Sequence, residues 1–192
     1  MTNDGPNSRL ESESPPAMGD APGFRAQLVE AAPAVRRFLF GLCGNWHRSE
    51  DLSQEALLTA WRKRDSFDGR ACLRTWVFTI ARNHWLMGLR QQARRPREEP
   101  MDESRQTGFS EKAAAPEAAA ARGELAEAIA AALGRLPAEQ REVLAMRELG
   151  GLTSVQVAAV LGLPLGTVKS RVRYAMLKLA QELEPFRQEL ES

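Results

Sequence analysis

One segment limits what this chain can fold into. Residues 96–121 (PREEPMDESRQTGFSEKAAAPEAAAA) combine Pro, Ala and acidic side chains with little bulky apolar content. Such a composition cannot bury enough surface to offset its ordering entropy, so it reads as a flexible linker. Apolar periodicity lies on both sides of it, which predicts two small domains, at 23–95 and 122–184. Nine of the twelve aromatic residues, with all four tryptophans, fall within 24–95, enough for a packed interior. Residues 1–22 hold Pro6, Pro15, Pro16 and Pro22 among Gly, Ser, Asn and acids and read as a disordered tail. Residues 185–192 read as a short C-terminal tail.

The apolar spacing is helical throughout and no strand-like alternation occurs, so the fold class is all-α. Leu28, Val29, Ala32, Val35, Leu39 and Leu42 predict a helix from Phe24 to Leu42, closed by Gly41 and Gly44. Ser49 followed by Glu50 and Asp51 predicts the start of a second helix, to Lys63, with Leu52, Ala56, Leu57, Ala60 and Trp61 on one face. Asp65–Ala71 has turn chemistry, and a third helix runs from Leu73 until Pro96 stops it. After the linker, helices are expected over Leu125–Leu136, then from Pro137 to Gly150 and Gly151. A short helix capped at Thr153 ends at Gly162, and a long one follows from Gly166 to Leu183.

Charge is unevenly spread. The net charge is only +1, yet residues 62–97 hold ten basic and two acidic side chains. A local field of that strength suits a polyanion such as nucleic acid, although a solvated helix face has the same composition. No apolar run approaches the ~18–20 residues that a membrane-spanning helix needs, and the N-terminus has no apolar h-region. Two cysteines, Cys43 and Cys72, without a CxxC pair fit a reducing cytoplasm rather than a disulfide scaffold. Cys43, His47, Cys72 and His84 match no compact zinc pattern, so no metal is expected. Neither a phosphate-binding glycine loop nor a nucleophile elbow occurs, and neither histidine has an evident triad partner. No cofactor and no enzymatic activity are expected.

Residues 154–173 carry the most specific signal. Ala158 is small where two helices would cross. Gly162 sits four residues on, at a turn needing a left-handed backbone, and Val168 six further, as an apolar anchor. Val157, Leu161 and Leu163 fill the space between, and no acid intervenes from Gly166 to Gln181. This is helix-turn-helix spacing followed by a basic recognition helix of the size that enters a major groove.

The second domain (GRLPAEQREVLAMRELGGLTSVQVAAVLGLPLGTVKSRVRYAMLKL) resembles region 4 of an extracytoplasmic-function sigma factor of the sigma-70 family. The first domain resembles region 2 of the same family, through SEDLSQEALLTAWRKRDSFDG and RTWVFTIARNHWLMGLR. The resemblance implies a factor that brings core RNA polymerase to promoters and helps open the DNA. It implies that Asp51, Gln54 and Glu55 dock on the clamp helices of polymerase β′, and an amphipathic helix is expected to present them away from the Trp61 face. It assigns Phe67, Arg70, Arg74, Trp76, Arg82, Asn83 and Arg90 to the −10 element, where single strands need stacking surfaces and cations. Trp76, at helical spacing with Ile80, is more readily read as core. It assigns Thr167, Lys169, Ser170, Arg171, Arg173 and Tyr174 to the −35 element, and seats the helices around Leu136–Leu149 on the β flap. Tyr174 and Met176 stand where many members carry basic residues. An anti-sigma factor is a further partner that the resemblance allows. The alternative is a stand-alone helix-turn-helix regulator, which would bind an operator as a dimer without polymerase.

Overall fold

The structure, a computed structural model, describes residues 22–94 and 128–190. The expected linker, the expected tail before Pro22 and the helix start at Leu125 lie outside the described residues. Every regular element described is a helix: α1 (Pro22–Cys43), α2 (Trp46–Arg62), α3 (Leu73–Arg94), α4 (128–134), α5 (Ala138–Leu144), α6 (Ser154–Leu161) and α7 (Leu165–Leu190). A 3-10 turn at Arg64–Ser66 follows α2, and a π-helical turn, Ala145–Leu149, extends α5. Helix α7 runs past its expected end at Leu183, to Leu190.

Helix α2 begins earlier than Ser49. Asn45 has extended backbone and its side chain accepts from the Arg48 amide at 2.9 Å, so the cap lies four residues upstream. Ser49 is instead fully buried inside the helix, with its hydroxyl donating to the Trp46 carbonyl. The buried face of α2 is Ser49, Ser53, Ala56 and Ala60, small residues that let α1 and α3 approach closely. The bulkier Leu52 and Leu57 are only partly buried at its margins, and Trp61 is 40% exposed.

One hydrophobic core runs through both halves of the chain. Val35, Phe38 and Leu39 of α1 join Val77, Phe78 and Ala81 of α3, then Val143, Ala145 and Met146, and finally Val157 and Val168. Phe38 and Phe78 meet with ring centroids 5.3 Å apart. A smaller cluster, Leu133, Leu136, Leu144 and Ala175, closes the second half. Gly41 does not punctuate α1; it lies within the helix. A Cβ there would sit 2.6 Å from Leu149 Cδ1 and 2.9 Å from Ala145 Cβ, so α1 meets the π-helical turn where only hydrogen fits. Gly44, at φ +65°, follows the end of the helix.

The helix-turn-helix has its predicted local chemistry. Thr153 and Gln156 form a reciprocal capping box, and Gly162 is left-handed at φ +65°. Gly162→Ala is therefore expected to lower stability by about 1–2 kcal/mol, the cost of holding a Cβ in that region. A urea titration would read it as a lower midpoint.

Candidate nucleic-acid interface

The second helix of the motif is held by one face and open on the other. Val168, Val172 and Ala175, spaced by four and three, are buried, the two valines in the main core and Ala175 in the smaller cluster with Leu133, Leu136 and Leu144. Lys169, Ser170, Arg173 and Tyr174 are exposed, with Tyr174 at 61%. Thr167 is half-buried at the start, and its carbonyl accepts from the Ser170 hydroxyl at 3.0 Å. Arg171 differs from the other basic residues. Its guanidinium bonds the Glu139 carboxylate of α5 at 2.5 Å, so its head is paired beside the open face.

The residues expected to meet a melted strand fall into three groups. Phe67 and Trp76 pack as a tilted pair, 5.3 Å between centroids and 50° between planes, with Phe24 about equally near both, at 6.0 and 6.3 Å. Trp76 is half-buried against the core, as its spacing with Ile80 allowed. Beside them the loop turns at Gly69 (φ +72°), and the Asp68 side chain accepts from the Arg70 amide. The Arg70 side chain is 89% exposed and 3.3 Å from Asp68. Asn83 and Arg90 share an open cleft of about 310 Å³ with Thr59, Lys63, Ile80, His84, Leu86 and Met87.

The third group, Arg74 and Arg82, is turned into the seam between the two halves. Arg82 Nε donates to Glu142 Oε1 at 2.7 Å, and its Nη2 to Oε2 at 3.4 Å. Arg74 Nη2 donates to the Gly150 carbonyl at 2.5 Å. Its Nε is buried with no acceptor among the described residues.

On α2, Asp51, Gln54 and Glu55 are all exposed. Gln54 and Trp61, however, line the same groove, with Arg25, Leu28, Val29, Leu57 and Leu58. Seven residues are two helical turns, so these two cannot face apart, contrary to expectation. Glu55 lies 3.5 Å from His84 Nδ1, and His84 Nε2 is 3.0 Å from the Thr59 hydroxyl.

Sequence reasoning weighed His84 only as a metal or triad candidate and passed over Lys63, both of which line the cleft, and Glu142 and Gly150, which hold the two arginines. Lys63 lies inside the basic segment and could have been found there. Glu142 carries no local signal, since its partner is 60 residues away.

The cysteines occupy unlike settings. Burial pushes the Cys43 thiol up, against the weaker opposing effects of the Asn45 backbone and the Arg48 charge. Partial burial also acts to raise the Cys72 thiol, but hydrogen bonds with Thr75 and from Gln156 outweigh it and the net shift is downward. A lowered pKa means thiolate at lower pH, so iodoacetamide at neutral pH is expected to label Cys72 well ahead of Cys43 by mass spectrometry. Among the described residues no three His, Cys, Asp or Glu side chains group as a metal would require. No described helix is long and apolar enough to cross a membrane.

Comparison with known proteins matches two family models in order, Sigma-70 region 2 at residues 28–95 and Sigma-70 region 4 at residues 126–179. The chain is 36% identical over 170 residues to the ECF RNA polymerase sigma factor RpoE of Cereibacter sphaeroides, covering 85% of this chain and 88% of that protein. It is 32% identical over 140 residues to the ECF RNA polymerase sigma-E factor of Escherichia coli, covering 70% and 73%. Among solved structures it is similar to the sigma factor RpoE in complex with the anti-sigma factor NepR from Bartonella quintana. That likeness has a TM-score of 0.65 at 27% identity and covers 85% of this chain and 98% of the other.

Proposed function

Given that the chain belongs to the extracytoplasmic-function sigma factors of the sigma-70 family and, as such, directs RNA polymerase to promoters without itself being an enzyme, we propose how its surfaces divide that work. The exposed ridge Asp51, Gln54 and Glu55 docks on the β′ clamp helices. The aromatic pair Phe67 and Trp76, the loop residue Arg70 and the Asn83–Arg90 cleft hold the displaced strand at the −10 element, joined by Arg74 and Arg82. Helix α7 enters the major groove at the −35 element through Thr167, Lys169, Ser170, Arg171, Arg173 and Tyr174. The helices around Leu136–Leu149 rest on the β flap.

The observation that carries this reading is the open face of α7. Lys169, Ser170, Arg173 and Tyr174 are exposed on a helix whose opposite side is anchored by Val168, Val172 and Ala175. A helix of 10–12 Å diameter fits a major groove about 12 Å wide, so those donors would reach base edges and phosphates. Aromatic rings flanked by cations suit unpaired bases, which all present a π face. The sequestering partner is an anti-sigma factor, as for the similar RpoE solved with NepR, and the protein works in the cytoplasm. Family membership decides against the stand-alone operator-binding dimer.

Run-off transcription with purified core polymerase on a genomic fragment library tests the assignment. Discrete transcripts dependent on this protein are expected, and aligning their start sites yields the two promoter elements. Absence of any transcript, with polymerase active on a control factor, overturns it.

A further inference from the structure

The basic residues assigned to the −35 element do not all start from the same place. Lys169 and Arg173 are exposed on α7. Arg171 stands three residues after Val168 and four before Ala175, at the margin of the buried face, where α7 packs on α5. Its side chain is only 27% exposed, and its Nη2 lies 2.5 Å from Glu139 Oε2. Glu139 belongs to the first turn of α5, and its side chain is 71% exposed. One ion pair therefore joins two surfaces assigned to different partners. Arg171 is on the DNA helix, and Glu139 is in the Leu136–Leu149 stretch assigned to the polymerase flap.

Charge makes those two assignments interdependent. While Arg171 stays on Glu139, α7 offers DNA one cation fewer. Arg171 has a second pose, swung away from α5 towards the groove. Moving between the two takes only rotation of a long side chain, because Val168, Val172 and Ala175 keep the α7 backbone seated. An ion pair this exposed favours its closed pose by no more than about fivefold. The DNA affinity of the free protein is lowered by about that factor, since only the open pose is competent. The arrangement also leaves the carboxylate approachable. Arg171 engages Oε2 from one side, and a carboxylate exposed to this degree has room for a second donor.

We propose that Glu139 is an exchange carboxylate between polymerase and DNA. In the free protein it holds Arg171 away from the duplex. When α5 seats on the polymerase flap, a lysine or arginine of the flap pairs with Glu139, and Arg171 turns to the −35 element. The coupling is reciprocal: DNA that draws Arg171 away frees Glu139 for polymerase. The inference rests on the assignments of α7 to the −35 element and of Leu136–Leu149 to the flap.

Glu139→Gln tests it, because it removes the charge, keeps the size and changes an exposed position. Fluorescence anisotropy with a short random-sequence duplex reads DNA binding by the free full-length protein. The variant is expected to bind about threefold more tightly than wild type. Its plot of log affinity against log salt should steepen by about 0.9, the signature of one more neutralised phosphate. In an Arg171→Ala background Glu139→Gln should change neither quantity. The same pair of proteins is then compared in complex with core polymerase, on a promoter fragment that keeps the −35 element and ends upstream of −10, with competitor DNA present. There Glu139→Gln and wild type should bind equally, because polymerase already occupies the carboxylate in wild type.

No gain in the free Glu139→Gln protein overturns the exchange. A gain that persists in the Arg171→Ala background also overturns it, since the carboxylate would then act by repelling phosphate rather than by holding Arg171. A gain of the same size in the polymerase complex overturns the hand-over to the flap. Lys169→Ala in the free protein separates these failures from failure of the underlying assignment. If that variant binds the duplex as wild type does, α7 is not the DNA helix.

Discussion

Lys169→Ala combined with Arg171→Ala is expected to reduce promoter-directed run-off transcription by about two orders of magnitude while leaving binding to core polymerase unchanged. A side chain reaching a base edge contributes roughly 1–3 kcal/mol of discrimination, and two such losses at the lower part of that range give about 100-fold. The fold should tolerate both changes. Lys169 is exposed, and removing Arg171 leaves Glu139, whose side chain is 71% exposed, to be hydrated at little cost. The core of the motif is carried by Val157, Val168 and Val172, which neither substitution touches. Arg171 must leave Glu139 to meet DNA, so Glu139→Gln alone should raise activity slightly or leave it unchanged. Transcription and pull-down with core polymerase, run on the same preparations, separate the outcomes. A double variant that loses polymerase binding as well would move α7 from the DNA side to the polymerase side.

Glu55→Arg is expected to weaken core-polymerase binding by about 100-fold or more, because it reverses a charge inside the proposed contact. Run-off transcription at limiting protein should fall in parallel. The side chain is 63% exposed and the packing face of α2 is Ser49, Ser53, Ala56 and Ala60, so the helix keeps its seat. Arginine is as good a helix former as glutamate. The ion pair with His84 is lost, but it is partly exposed and requires a protonated imidazole, so its share of the stability is small. Circular dichroism and a urea melt close to wild type would exclude unfolding as the cause. Wild-type affinity for polymerase in a folded Glu55→Arg protein would remove this ridge from the docking surface.

The helix-turn-helix was legible because its determinants are local. Thr153 and Gln156 cap across three residues, and Gly162 needs a left-handed backbone whatever surrounds it. The apolar residues that seat α7 recur at helical spacing. The start of α2 was misplaced because two capping residues compete there, Asn45 and Ser49. Only packing shows that Ser49 belongs to a buried face of small residues. Trp61 was taken for core because it is large and apolar. In the structure small side chains occupy the tight centre of α2, which pushes the bulky ring to the margin.

Charge was the least legible property. Arg70, Arg74, Arg82 and Arg90 all lie in one basic segment. One of them is almost fully exposed, two are committed to the other half of the chain, and one lines an open cleft. A guanidinium looks the same in sequence whether it faces water, phosphate or a carboxylate 60 residues distant.

From its residues alone, then, this protein's helices, the division into two helical halves and the family to which they belong could be read, because caps, turns and apolar spacing act over a few residues along one chain. Tertiary structure alone decided which arginines are available and which are held in the seam. That choice depends on Glu142, Gly150 and Gly41 arriving beside helices far from them in sequence, where shape and desolvation rather than residue type select the partner.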